Sequence, residues 1–288
     1  MAGIIGVVVT VMAALYSPHN HKNVKLDIPG KWNEGLGKSI SMNLIVSHDW
    51  KRDKAINDYG VGAVYHTYIG QYTLEYRDHE SVVLVFSTNY AGRDCWFCSP
   101  AISLFEFKGE EGGWKLVNTD ISAISAGTHG RIGSNDVKIY VIGDNIYAVA
   151  INGAVTPQGS ITAWTEFYAR LGDQFRNVLS LHTLSDTHNI DDHTIKSRVG
   201  TYSFRVGPTG FYDVDVVEEV REGSRHVKYL LTYKFDGNEY SIFAPVTECT
   251  YLSETTKSVC KEIESDPPAD DDSYANHRND MAEAIGLD

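Results

Sequence analysis

Short runs of apolar and aromatic residues dominate the chain from about position 59 onward. In residues 211–216 polar side chains occupy alternate positions, as expected of a strand with one buried face. Glycine, asparagine and aspartate separate the runs, and these residues suit the positive φ angles of hairpin turns. The pattern therefore predicts many short antiparallel strands. The clearest runs are 82–86, 101–107, 137–141, 146–151, 211–217 and 227–235, with turns at 143–145, 207–210 and 236–238.

A unit of strand, glycine turn, aromatic residue and second strand recurs three times, around Trp114, Phe175 and Tyr240. Another hairpin precedes each copy, which gives candidate repeats of four strands at 60–120, 135–184 and 200–247. One such sheet cannot bury its apolar face alone, and stacked copies would close the core.

The sequence therefore predicts a single all-β domain over residues 25–260, built from repeated four-stranded antiparallel meanders in a propeller-like or barrel-like assembly. Residues 25–46 are expected to supply further strands, because three units are few for a propeller. The alternative is that any antiparallel protein looks repetitive, because strand-turn-strand is its ordinary local pattern.

One or two short helices are expected beside the strands. Residues 47–59 begin with a possible capping serine and contain few β-branched residues, which favours a helix. Residues 161–179 fit a helical period but also fit a hairpin turning at Gly172, and the repeat favours the hairpin. Residues 262–288 are acidic and polar, which predicts a flexible tail.

The N-terminal apolar run, 3–16, is shorter than the roughly 20 residues of a spanning helix. It has the length of a signal-peptide core, although no Lys or Arg precedes it. Residues 1–18 are therefore predicted to be a leader or a short anchor, which would also be the chain's route to a membrane. Export to the periplasm, the cell surface or the medium is expected, and a cytoplasmic location follows if the run is not a leader.

The formal net charge of −13 argues against nucleic acid as a partner, because the phosphate backbone attracts positively charged proteins. The four cysteines fall into two near pairs, Cys95 with Cys98 and Cys249 with Cys260. Export would permit two local disulfide bonds, but four cysteines allow three connectivities and the sequence does not choose among them.

Cys95 and Cys98 form the sharpest local motif, a C-x-x-C. Such a pair is a structural disulfide, a redox dithiol or half of a metal site. A strand pattern follows it, and the β-α-β context of a thioredoxin-like site is missing. A structural pair is therefore the preferred interpretation.

A second candidate is a segment rich in histidine and aspartate, in which imidazole and carboxylate groups could bind a divalent metal. The spacing matches no established ligand motif, so a solvated loop is the preferred interpretation. The weak metal candidates are His182, His188, Asp191, Asp192 and His193.

No nucleophile elbow or phosphate-binding loop occurs in the sequence, and no cofactor is predicted. The favoured hypothesis is a non-catalytic binding or structural module with an unknown protein or carbohydrate ligand. A thiol-redox or metal-dependent protein using Cys95 and Cys98 is the first alternative. A hydrolase of extracellular polymers, with carboxylates that meet only in the fold, is the second. Trp32, Trp50, Trp96 and Trp164 are candidates for stacking on sugars or peptides, although tryptophan is more often buried.

Overall fold

In the computed structural model, the described part of the chain is mostly β-strand and contains two antiparallel sheets and one α-helix. The all-β prediction is therefore confirmed at this level. The residues described are 27–50, 64–90, 99–125, 132–156, 160–172, 174–188, 195–207, 210–223, 225–251 and 258–263. The predicted leader and most of the predicted tail lie outside these residues.

The first sheet has five strands in the order β1-β5-β4-β3-β2. Four of them form a meander in which each strand pairs with the next, and the short β1 joins the far edge of β5. The strands are β1 (Asp27–Pro29), β2 (Val64–Glu75), β3 (Glu80–Tyr90), β4 (Ala101–Glu110) and β5 (Gly113–Ser125).

The second sheet is an uninterrupted meander of nine strands, preceded by a single 3₁₀ turn at Ser134–Asp136. The predicted turns at 143–145 and 236–238 connect neighbouring strands, and the hairpin prediction for 161–179 is confirmed. Residues 208 and 209 of the predicted turn at 207–210 lie outside the described residues. The strands are β6 (Val137–Gly143), β7 (Ile146–Val155), β8 (Ile161–Leu171), β9 (Gln174–His188), β10 (Ile195–Arg205), β11 (Asp213–Glu222), β12 (Arg225–Phe235), β13 (Tyr240–Tyr251) and β14 (Ser258–Ile263).

The first candidate repeat, 60–120, coincides with the meander of β2 to β5, but the second and third do not appear as separate four-stranded units. The second and third candidate repeats share the nine-stranded sheet, because β9 continues into β10 through antiparallel pairing. Hydrogen bonds join all nine strands side by side, so the second sheet is not divided into blades. The recurring strand-turn-strand pattern in the sequence reflects the succession of ordinary hairpins in this sheet.

Helix α1 (Glu34–Ser47) corrects two predictions. The segment 25–46 supplies one three-residue strand and then this helix, where strands had been expected. The side chain of Asn33 caps the helix by accepting the N–H of Leu36 at 3.0 Å. Ser47, predicted to start a helix, ends one, and its hydroxyl donates to the carbonyl of Leu44 at 2.9 Å. Residues 51–59 of that predicted helix lie outside the described residues.

The first sheet is buried on both faces. In β3 the side chains of Val82, Leu84 and Phe86 pack beneath α1, whereas Val83 and Val85 point to the second sheet. This two-sided burial explains the unbroken apolar run in β3, because neither face needs polar side chains for water. Strand β7, which lies across the interface between the two sheets, is likewise buried on both faces.

An ion pair crosses this interface. Arg170 Nη1 of β8 lies 2.9 Å from Glu106 Oε2 of β4. The Glu106 side chain is only 3% exposed, whereas Arg170 is 34% exposed. The carboxylate is thus almost fully removed from water and depends on the guanidinium for compensation.

The second sheet curls into a half-barrel. Tyr140 of β6 and Tyr202 of β10 are four strands apart in the sheet, yet their hydroxyls lie 3.1 Å apart. At one end the curl closes, because Tyr212 N–H donates to Ile142 O at 2.7 Å and an isolated bridge joins Gly143 to Phe211. Side chains from β6 to β13 fill the inner face, so this part of the interior is a packed core.

The sheet turns a corner between β9 and β10. These strands pair only where residues 184–188 meet 195–199. A bulge at Thr183 interrupts the pairing of β9 with β8, and bulges bend the strands that carry them. Gly200 lies at the point of separation, where a Cβ atom would come within 2.2 Å of the His182 carbonyl oxygen. The corner therefore requires glycine at this position.

We expect Gly200→Ala to lower the free energy of unfolding by about 1–3 kcal/mol, because the backbone must move to accept the methyl group. Urea denaturation of the purified protein measures this change. Gly35→Ala in α1 is the control, since its Cβ would meet no atom closer than 3.4 Å. Alanine there should add about 0.5–1 kcal/mol of stability. Equal effects of the two substitutions would contradict the assigned role of Gly200.

Arg170→Met should cost about 3 kcal/mol of unfolding free energy, because it leaves the Glu106 carboxylate buried without its partner. Glu106→Leu in the same chain should restore most of that loss. Arg77→Met is the control, since Arg77 pairs with Asp144 at the surface, where such pairs contribute about 0–1 kcal/mol. This account is refuted if the double variant is less stable than the Arg170→Met single variant.

Candidate functional site: a cleft around Trp164

A cleft of about 420 Å³ opens at one end of the nine-stranded sheet. It lies where β7 ends and β8 begins, beside the bulge in β9 and the 3₁₀ turn before β6. The side chains and backbone that line it are those of Asp136, Asn152, Gly153, Ala154, Ala163, Trp164, Thr165 and Thr183.

Trp164 lies directly opposite Gly153 in the register of β7 and β8. A Cβ atom at position 153 would come within 2.6 Å of the indole ring, so the ring rests against bare backbone. An aromatic side chain covering a cross-strand glycine stabilises a sheet. Glycine thus sets the position of the indole, which is half-buried at the cleft.

A polar pair occupies the neighbouring positions of the same two strands, so its side chains point to the opposite face of the sheet from the indole. Thr165 is 2% exposed, and its hydroxyl donates to the Asn152 amide oxygen at 2.8 Å. This bond fixes the orientation of the Asn152 amide, whose nitrogen end carries two donors. The two residues face each other across β7 and β8, so the register of the sheet holds the pair together.

Among the described residues that line the cleft, Asp136 is the charged one. Its Oδ2 accepts the backbone N–H of Gly133 at 2.7 Å, which orients the carboxylate within the 3₁₀ turn. Among the described residues that line the cleft there is no histidine, cysteine, lysine or arginine. These lining residues offer hydrogen-bonding groups and an aromatic ring.

The metal candidates are only partly within the described structure. His182 lies on β9 opposite Trp164, and His188 is the last residue of the same strand. Asp191, Asp192 and His193 lie outside the described residues. Within the described ranges, no three His, Cys, Asp or Glu side chains converge as a metal site would require.

The two cysteine pairs have different outcomes. Cys249 of β13 and Cys260 of β14 are directly opposite each other and form a disulfide. Cys95 and Cys98 lie outside the described residues, so their pairing and chemistry remain predictions. A bond between Cys249 and Cys260 selects the local pairing among the three that the sequence allowed.

The other tryptophan candidates serve packing where they are described. Trp50 is buried and donates its indole N–H to Ile45 O at 2.8 Å. Trp32 packs against Phe107 and Trp114 and donates to Gln71 at 2.8 Å. Both belong to the interface of α1 with the first sheet, and Trp96 lies outside the described residues.

Sequence reasoning singled out Trp164 but missed Asp136, Asn152 and Thr165. Single polar residues on strands usually face water, so nothing in the sequence marks these three as neighbours. Their proximity follows from the register of β7 with β8 and from the bulge in β9. The available signal was the glycine opposite Trp164, but this glycine can be recognised as the partner of Trp164 only when the register of the two strands is known.

No family model, curated protein or solved structure matches the chain. Within the described ranges, the structure contains no helix with the length and apolar character needed to cross a membrane. Function is therefore inferred from the cleft and the sheet themselves.

Cys249 and Cys260 should resist thiol alkylation in the native protein and react after reduction, which peptide mass mapping detects. Replacing both by serine should lower the free energy of unfolding by about 2–3 kcal/mol, because the bond closes a short loop in the unfolded chain. Alkylation of either residue before reduction would contradict the assigned bond.

Proposed function

We propose that the protein is a non-catalytic binding module that acts outside the cytoplasm, and that the cleft around Trp164 holds a neutral carbohydrate. The observation that carries the proposal is the indole of Trp164, set against Gly153 at a cleft of about 420 Å³. This volume falls in the range of small-molecule sites, about 300–1,000 Å³.

The lining chemistry supports a hydroxylated ligand. An indole ring provides an apolar surface for the C–H faces of a sugar ring. The amide of Asn152, the carboxylate of Asp136 and the hydroxyl of Thr183 are groups that hydrogen-bond sugar hydroxyls. None of the described residues that line the cleft is cationic, so none of them would neutralise a bound anion.

Location outside the cytoplasm is supported by two features. The disulfide between Cys249 and Cys260 favours an oxidising compartment. The apolar run at 3–16 has the length of a leader core. A binding module of the periplasm, the cell surface or the medium accommodates both features.

A panel of neutral oligosaccharides, measured by isothermal titration calorimetry against the full chain, should contain at least one ligand that binds saturably. Trp164→Ala should weaken that binding at least about tenfold, because the stacking surface is lost. Trp164→Phe keeps a smaller aromatic ring and should retain part of the affinity.

Tyr65→Ala is the matched control, since Tyr65 is an aromatic residue that is 48% exposed on β2, in the other sheet. It should leave the affinity unchanged. Urea denaturation of each variant separates lost binding from lost folding. The proposal fails if no oligosaccharide binds, or if Trp164→Ala binds as tightly as the unchanged protein.

A further inference from the structure

The side of the cleft that faces away from the indole carries two cross-strand pairs. In the register of β7 with β8, Asn152 lies opposite Thr165 and Ala154 lies opposite Ala163. All four residues line the cleft. Because residues two apart on a strand share a face, the polar pair and the alanine pair lie side by side on one face of the hairpin. These four residues are named the amide patch below.

Asn152 presents hydrogen-bond donors to the cleft. Its Oδ1 accepts the Thr165 hydroxyl at 2.8 Å, so the oxygen end of the amide is already engaged. The other end, Nδ2, carries two donor hydrogens. Within the described ranges, no protein group accepts a hydrogen bond from Nδ2. Since Asn152 is only half-buried, these donors are accessible to a ligand that carries an acceptor.

Asp136 supplies an acceptor beside this amide. It directly precedes Val137, which lies opposite Ile151 in the register of β6 with β7. The chain therefore brings Asp136 alongside Asn152, where both residues line the cleft. Oδ2 of Asp136 accepts the backbone N–H of Gly133 at 2.7 Å, which leaves lone pairs of the carboxylate for a ligand. The cleft thus places a donor and an acceptor side by side.

The alanine pair adds a small apolar surface next to these polar groups. Ala154 is exposed and Ala163 is half-buried. Neither side chain extends beyond its Cβ atom, so the pair leaves room for a small apolar substituent above it. Covering the two methyl groups is favourable because it removes apolar surface from water.

An acetamido group matches all three features of this part of the cleft. Its carbonyl oxygen can accept from Asn152 Nδ2, and its N–H can donate to the Asp136 carboxylate. Its methyl group can cover Ala154 and Ala163. A sugar hydroxyl can make the polar contacts, but it leaves the alanine methyl groups exposed to water.

We infer that the cleft around Trp164 selects neutral carbohydrates that carry acetamido groups, such as oligomers of N-acetylglucosamine. The inference rests on the proposed carbohydrate-binding function and adds the residues that choose between sugars. The indole and the amide patch lie on opposite faces of the β7–β8 hairpin but line one cavity. An oligosaccharide, and not a single sugar ring, is therefore the ligand that contacts both.

The test compares tri-N-acetylchitotriose with cellotriose by calorimetric titration of the full chain. The two trisaccharides have the same linked glucose rings and differ only in the acetamido group that replaces one hydroxyl on each ring. A difference in affinity therefore reports the acetamido group alone. Tri-N-acetylchitotriose should bind at least about tenfold more tightly than cellotriose.

Asn152→Asp tests the donor that is assigned to this preference. The substitution replaces Nδ2 by an oxygen of similar size, and Thr165 can still donate to the other oxygen. It should lower the affinity for tri-N-acetylchitotriose about tenfold, because a carboxylate cannot donate to a carbonyl oxygen. The affinity for cellotriose should be nearly unchanged, because a hydroxyl can donate as well as accept.

Asn238→Asp is the matched control. It makes the same chemical change at an exposed position in the turn between β12 and β13, and Asn238 does not line the cleft. It should leave both affinities unchanged. Urea denaturation of the two variants separates lost selectivity from lost folding.

The possible results distinguish this inference from the proposal on which it rests. Equal affinity for the two trisaccharides, or binding of cellotriose alone, overturns the acetamido preference and leaves the carbohydrate proposal standing. A preference that Asn152→Asp retains overturns the role of the amide patch. If no oligosaccharide of any kind binds, the carbohydrate proposal and this inference fall together.

Discussion

Contact between the two sheets is the constraint on which the rest of the structure depends. Strands β3, β4 and β7 have side chains buried on both faces, and each large apolar side chain contributes about 1.5–3 kcal/mol when fully buried. In the described residues, the first sheet packs on side chains of β6 to β9 and on Ile132 just before β6. The remaining strands of the second sheet bury their inner face by curling, which creates the corner at Gly200. The cleft lies at the end of the sheet where this bend occurs.

Much of the strand content was predictable because hairpin chemistry is local. Alternation within residues 211–216 and the residues of the turn at 143–145 identify strands without any long-range information, and Asn145 indeed has a positive φ of 63°. The architecture was not predictable, since a meander within one sheet and a meander within a separate blade have the same local pattern. The two architectures differ in whether β9 pairs with β10, and no residue in a turn determines that pairing. Helix α1 was missed because its apolar residues do not form a clear stripe.

The candidate sites depend on register even more strongly. Trp164 was visible in the sequence as a possible stacking residue, but the pairing that sets it against Gly153 depends on the alignment of β7 with β8.

The bond between Cys249 and Cys260 has a consequence for self-association. Strand β14 is the last strand of the nine-stranded sheet, and this bond attaches it covalently to β13. If β14 detached after reduction, the long β13 would present unpaired N–H and C=O groups on which another chain could add a strand. The solubility of the protein is therefore coupled to the redox state of its surroundings. An oxidising compartment would keep this edge of the sheet closed against aggregation.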